Sequence, residues 1–240
     1  MPRLDVQMTG RWLLALWLGA GALFWGAPSV DLALSHLFWE PGPGFAVTGN
    51  PMWEWLRQRI WDVAIVLFLF SAYATLRALG RRRRVLGLGA AVWAYLFTLF
   101  ALVPGLVVNG WLKANSGRAR PATVTDFGGE KSFTPAGVFA DQCASNCSFV
   151  SGEVSASVVL GIALWLFAAL LPRLAGWQRT YLRVAAVFLP GFIVLQRVAT
   201  GRHFASDAVF AVLITLSLGW MLALAFNGQA SALLRGKKEG

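Results

Sequence analysis

The stretch Gln196–Asp207, QRVATGRHFASD, gathers the residues best suited to chemistry: Arg197, His203 and Asp207. His203 follows Arg197 by six positions and precedes Asp207 by four. If the chain is helical from about His203 onward, the i, i+4 spacing puts Asp207 one turn above His203 on the same face. A carboxylate there can take the proton of one ring nitrogen and leave the lone pair of the other free to attack. An interfacial His with an Asp closing a helix end would give the same spacing, so the rest of the chain has to decide.

The elements that must position these groups are apolar. Of the 240 residues 57% are hydrophobic and 13% are charged, against about 25% charged in a soluble domain. Trp12–Ala27, Val63–Leu79, Val85–Val108, Val154–Leu171, Val184–Leu195 and Ala208–Phe226 read as six membrane spans. The fifth starts near Thr180, with Arg183 snorkelling. The first could be a signal peptide; a retained helix is favoured, since no clean cleavage site follows it. Pro104 and Gly105 are expected to bend the third span near its far end. The expectation is an all-α polytopic bundle, one domain over 1–240, with its motifs within about 60–226. The loops 28–60 and 109–152 share one side. In the first of these, residues 53–61 (WEWLRQRIW) suggest a short helix lying in the interface with Arg57 and Arg59 toward headgroups. The 12 Trp fit interfacial anchoring.

The net charge of +10 is a topology signal here. With the N-terminus inside, 13 of the 21 Lys and Arg fall on the inner side and eight on the outer. The Arg81–Arg84 run casts the strongest single vote. No basic stripe is interleaved with aromatics on a soluble face, so nucleic acid is set aside. Both termini are then cytoplasmic. Lys113, Arg120 and Arg197 share the outer side with His203, and charges at a membrane edge default to function.

Ser151 and Gly152 begin the fourth span, where backbone N–H groups at a helix N-terminus attract anions. Two Arg, one Lys and such an N-terminus around a His suggest a phosphate cradle. Arg offers planar bidentate bonds and Lys a point charge. Fixed cations there stabilise charge on the equatorial oxygens during phosphoryl transfer. His203 would be the nucleophile, and Asp207 would hold its tautomer.

These residues resemble three motifs of the type 2 phosphatidic acid phosphatase superfamily. KANSGRARP (113–121) has its Lys, six residues, Arg-Pro pattern. VSGE (150–153) is similar to its Pro-Ser-Gly-His. QRVATGRHFASD is similar to its Ser-Arg, five residues, His, three residues, Asp. The resemblance implies a helical bundle and cofactor-independent, metal-independent removal of phosphate from a lipid phosphate or pyrophosphate. Lipid A, undecaprenyl pyrophosphate, phosphatidylglycerol phosphate and phosphatidic acid are candidates. CSFVSGE (147–153) resembles the lipid A phosphatase-like branch. Carried over, Lys113, Arg120, Arg197, Ser151 and Gly152 bind phosphate, His203 attacks and Asp207 assists. In a bacterium the site would face the periplasm from the inner membrane.

Three positions depart from the pattern. Val150 replaces Pro and Gln196 replaces Ser, both mild changes. Glu153 replaces the His that protonates the leaving group. Glu153 can be read as a general acid, as an acid favourable in the first helical turn, or as a mark of altered activity. A lipid with an acidic leaving oxygen would need less help. Arg118 and Arg202 could add phosphate or headgroup contacts but are read as surface charges, Glu130 and Asp141 could bind a substrate amine but are read as solvated loop residues, and His36 is read as an interfacial polar group. Cys143 and Cys147 would face an oxidising compartment, where a disulfide across CASNC would pin the loop before Ser151. A metal there would lack a third ligand nearby. A lipid-to-lipid phosphotransferase and a non-catalytic phospholipid binder or transporter stay open. A transporter would more often show internal repeats or broken mid-membrane helices. Oligomeric state is not legible.

Overall fold

The computed structural model describes residues 5–81 and 84–228, without the Arg81 side chain. Arg3, Arg82, Arg83, Arg235, Lys237 and Lys238, six of the charges counted inside, lie outside the described residues.

Helix α1, Val6–Gly26, is capped by Asp5, whose carboxylate accepts from Met8 N–H at 2.9 Å. It lies on the last helix, with Trp17 Nε1 donating to Ser217 Oγ at 3.0 Å. The chain breaks at Ala27–Pro28 and turns by 87° into α2, Ser29–His36. A two-residue hairpin follows, β1 Trp39–Glu40 against β2 Gly44–Phe45, turned through the PGPG segment.

Helix α3 runs unbroken over Pro51–Arg81. The expected interfacial helix at 53–61 is therefore the N-terminal end of the second span, not a separate element. Asn50 and Pro51 explain it. Asn50 Oδ1 accepts from Met52 and Trp53 N–H at 3.1 and 3.2 Å, and Pro at the first helical position has no N–H to leave unpaired. Ile60 and Ala64, one turn apart, both face the core. Arg59 stays exposed and pairs with Asp62 at 2.9 Å, whereas Arg57 turns inward.

The third span starts at Ala90, five residues later than expected, because Leu86 and Gly87 take positive φ in a tight turn closed by Val85 and Leu88. It is α-helical over α4, Ala90–Phe100, π-wound over Ala101–Leu112, and ends in a single α turn, α5, Lys113–Asn115. Pro104 is where the ladder lacks an N–H. The side chain of Asn109 donates to its carbonyl at 2.6 Å. The remaining helices are α6 Gly152–Leu170, α7 Gly176–Ala199 and α8 Ala205–Phe226.

Five helices are long and apolar enough to cross a membrane, and a sixth span arises if the bent pair α1–α2 counts as one. The protein is an integral membrane protein built as a helical bundle. Helix α6 is its centre, in contact with α3, α4, the π-wound segment, α7 and α8. Over half of its apolar window is buried (56%), against 22% for α3. The residues at its N-terminus, Ser151 to Glu153, are thus held by the most buried helix of the bundle. Above the bundle, Phe45, Ala119, Val124, Phe127 and Phe204 form a second apolar cluster, which fixes the 28–60 loop against the loop after α5.

Candidate active site

His203 lies in the turn between α7 and α8 and is 3% exposed. The turn is possible because Gly201 takes φ +63° with Phe45 packed where a Cβ would project. The N–H groups of Arg202 and His203 both return to Arg197 O at 3.1 Å. Helix α8 begins at Ala205, so Asp207 sits in its first turn, and Asp207 Oδ2 accepts from Phe204 N–H at 2.8 Å.

Asp207 stands above His203 as the spacing requires, with Oδ2 3.9 Å from Nδ1. The hydrogen bond of Nδ1, however, runs to Ser148 O at 2.8 Å. A carbonyl can only accept, so Nδ1 carries the proton and Nε2 presents its lone pair. Ser148 also donates its Oγ to Asp207 Oδ2 at 2.5 Å. The carboxylate therefore acts on the imidazole at ion-pair range and through Ser148. Burial lowers the His203 pKa from its ordinary value, against Asp207; Lys113 and Arg120 lower it further. The ring is held neutral and nucleophilic.

Behind His203 is a buried charge network absent from the sequence reading. Arg118, taken there for a surface charge, is fully buried. Its Nη1 donates to Asp207 Oδ1 at 2.5 Å and to Ser206 Oγ at 2.9 Å. Its Nη2 donates to Asp31 Oδ2 at 2.8 Å, and its Nε to Thr134 O at 2.8 Å. The guanidinium lies 4.4 Å from the Phe204 ring centroid and 5.6 Å from that of Phe133. Asp31, 1% exposed, also accepts from Ser206 N–H at 2.8 Å and from Ser206 Oγ. The surface reading fails because desolvating Arg118 is offset by two carboxylates and two aromatic faces. Arg202, Glu130, Asp141 and His36 are exposed, as expected.

The expected cations gather on the open side. Lys113 and Arg120 are half-buried and act electrostatically on His203. Arg120 Nη2 donates to Asn146 O at 2.8 Å, inside the loop closed by a Cys143–Cys147 disulfide with Cα atoms 5.6 Å apart. Cys147 N–H donates to Lys113 O at 3.2 Å, so that loop is fastened to both cations. Burial, then the neighbouring Arg202, lower the Arg120 pKa; Glu153 and Asp207 act the other way. Ser151 is the N-cap of α6 and accepts from Val154 N–H at 3.4 Å. Its own N–H goes to Asp207 O at 3.3 Å, so of the two expected backbone donors Gly152 is the one at the free end of α6. The Asn109 side chain lies where a Cβ on Gly152 would project, so a larger residue there would have to displace it.

Arg197 is 10% exposed and Glu153 25%. They face each other at 2.9 Å, Nη1 to Oε2, without hydrogen-bond alignment. Glu153 Oε1 takes a 2.7 Å bond from Arg57 Nη1, and Arg57 Nε donates to Glu54 Oε2 at 2.7 Å. Glu54 and Arg57 were also missed. The one signal for them was the placement of two opposite charges in the first turns of a span that the sequence reading began too late.

A neutral, tautomer-fixed His beside two half-buried cations and a helix N-terminus, at the rim of an apolar helical bundle, can receive a phosphate group. The chain belongs to the PAP2 superfamily, which matches residues 91–230. It is 33% identical to the lipid A 4'-phosphatase of Francisella tularensis subsp. novicida over 223 residues, which cover 92% of this chain and 85% of that one. It is 30% identical to the lipid A 4'-phosphatase of Rhizobium etli over 242 residues, which cover 90% and 84%. A PAP2-type transmembrane phosphatidylglycerolphosphate phosphatase from Bacillus subtilis aligns over 95% of this chain and 96% of its own, at 21% identity and a TM-score of 0.47.

Proposed function

We propose that this phosphoric monoester hydrolase removes phosphate from a lipid of the lipid A class through a phospho-His203 intermediate. The observation that carries the mechanism is the Nδ1 bond to Ser148 O, which leaves the Nε2 lone pair free in a ring on which Lys113 and Arg120 act. The Nε2 lone pair attacks phosphorus as the bond to the lipid oxygen breaks. The Nδ1-protonated phospho-imidazole is stabilised by Asp207. Water then adds to phosphorus, the P–N bond breaks, its electron pair returns to Nε2, and phosphate leaves. Lys113, Arg120, Arg197 and Gly152 N–H hold the phosphoryl oxygens through both steps.

The two relatives at 33% and 30% identity support the substrate class. A membrane-borne substrate also fits an apolar groove of about 350 Å³ between α3 and the π-wound segment. The groove is lined by Trp61, Phe68, Pro104 and Ala156, and Asn109 is its polar end beside Gly152. The charge asymmetry supports cytoplasmic termini and a periplasmic site in a bacterial inner membrane. The Asp31–Ser206 bonds support one domain from first helix to last.

The test is phosphate release by the detergent-purified protein, in EDTA, from lipid A, undecaprenyl pyrophosphate, phosphatidylglycerol phosphate and phosphatidic acid, beside His203→Ala. Release by the wild type alone, fastest from lipid A, is expected. Loss of phosphate from the donor lipid without free phosphate would replace hydrolysis by transfer. Binding without either would sink the enzymatic reading.

A further inference from the structure

Five side chains at the rim close a ring, of which the mechanism above uses only Arg197. Arg57 bonds Glu153 and Glu54, each at 2.7 Å. Glu54 Oε1 accepts from Gln196 Nε2 at 2.8 Å and stands 3.6 Å from Arg197 Nη2. Gln196 Oε1 accepts from Arg197 Nε at 2.6 Å. Arg197 Nη1 returns to Glu153 at 2.9 Å. Two Arg and two Glu alternate, with Gln196 as the neutral link, so the ring's charges cancel.

Two of its members, Gln196 and Glu153, are departures from the motif pattern. Their partners, Glu54 and Arg57, come from α3, outside all three motifs. The departures are therefore one structural change: each places a group that α3 can hold. Gln196 reaches Glu54, which Ser would be too short to do. Glu153 balances Arg57, which would otherwise crowd Arg197 with like charge.

The ring does not hold Arg197 evenly. Its Nε is fixed by a short, aligned bond to Gln196, while Nη1 meets Glu153 Oε2 off axis, and that oxygen has no aligned donor. The Nη1 hydrogens are thus poised for a better acceptor, and a phosphoryl oxygen supplies one. Glu153 is placed as an acceptor. Its two oxygens face Arg57 and Arg197 at 2.7 and 2.9 Å, and Arg has only N–H donors, so an O–H on either would oppose an N–H.

We propose that the ring is a positioning device for phosphate. Glu54 and Arg57, acting through Gln196 and Glu153, aim Arg197 Nη1 at the phosphoryl group, and the departing lipid oxygen takes its proton from water rather than from Glu153. This rests on the phospho-His203 reading for its chemistry but not for its binding. Without a side-chain acid the rate follows the acidity of the leaving group, in every ring variant as in the wild type.

The experiment uses the full-length protein, with kcat and KM for p-nitrophenyl phosphate and for phosphatidic acid, and inorganic phosphate as a binding probe. The variants are Glu153→Gln, Arg57→Met, Arg57→Lys and Glu54→Gln. Arg57→Met is expected to lower kcat/KM on both substrates by the same factor, about 10- to 100-fold for a misaimed group, and to weaken phosphate binding. Arg57→Lys, which keeps the charge, recovers part of both. Glu153→Gln is expected to act equally on the two leaving groups. A loss of roughly 10²–10⁴-fold with phosphatidic acid and little with p-nitrophenyl phosphate would instead make Glu153 the general acid and overturn the proposal. Unchanged phosphate affinity in Arg57→Met, with Glu54→Gln equally silent, would overturn it independently of turnover. A wild type that binds phosphate without releasing it from any ester would end the hydrolase reading, and the ring would still be judged on the binding series.

Discussion

Two arginine-centred networks flank His203, and they differ in every respect that matters physically. Behind the imidazole, Arg118 and its two carboxylates are at most 1% exposed, and the guanidinium packs on aromatic rings. In front, Arg57, Glu153 and Glu54 keep side-chain exposures of 19%, 25% and 38%, with one contact out of alignment. A dry, saturated network has one arrangement and acts as a frame. A wet, partly satisfied one can exchange a partner, which a phosphate site requires. The same residue type thus serves as structure at one wall and as ligand positioning at the other, and burial decides which.

The sharpest way to break this contrast is to remove one arginine from each wall. Arg118→Met leaves Asp31 and Asp207 buried without their cation and is expected to cost about 3–5 kcal/mol of stability, read as a fall in the thermal midpoint in detergent. Arg57→Met should leave that midpoint near the wild-type value while kcat/KM falls. Equal losses of stability in both would abolish the distinction.

A second, smaller effect concerns pH. The His203 pKa lies below its ordinary value because of burial, so kcat/KM should persist as pH falls through the ordinary imidazole range and drop only below it. The unfolded chain takes up its proton first. His203 therefore contributes its full share of stability above the ordinary value, and loses it as pH falls toward the folded value. A pH–rate profile beside denaturation midpoints, with His203→Ala as the reference, measures both. A rate limb at or above the ordinary imidazole value would mean that the Asp207 carboxylate outweighs burial and the two cations.

The smallest effect is expected at the front loop. Cys143→Ser with Cys147→Ser opens a short loop, worth at most about 2 kcal/mol by chain entropy. Because that loop carries the Asn146 carbonyl against Arg120 and the Cys147 N–H against Lys113, phosphate affinity should fall with little change in midpoint. Loss of fold in the double variant would place the loop with the frame.

The sequence made part of this legible and hid the rest for definite reasons. Spans, motif order and the cations facing His203 follow from local composition and spacing. Arg118 was misread because it lies between Lys113 and Arg120 in a Gly- and Ser-containing loop, and nothing local marks it as buried. Its partner Asp31 is 87 residues away, and Glu54 is 142 from Gln196. Pairings at that distance leave no periodic trace. The start of α3 was readable, since Asn-Pro before a periodic run is an N-cap followed by a first-turn Pro; the charges of Arg57, Arg59 and Asp62 drew the boundary too late. Ser148 was hidden for another reason: its carbonyl holds His203, and backbone groups have no signature in sequence.

The 87° break after α1 has a consequence in time as well as in space. It sets Asp31 in place long before its partners in the sequence. Arg118 emerges next, then Ser148, and only at the end Ser206 and Asp207, 175 or more positions after Asp31. A ribosome releases these in order, so Ser148 and the imidazole cannot receive the Asp207 carboxylate until the last helix has closed onto the earlier ones. The charged frame behind His203 is therefore among the last features of the fold to be completed.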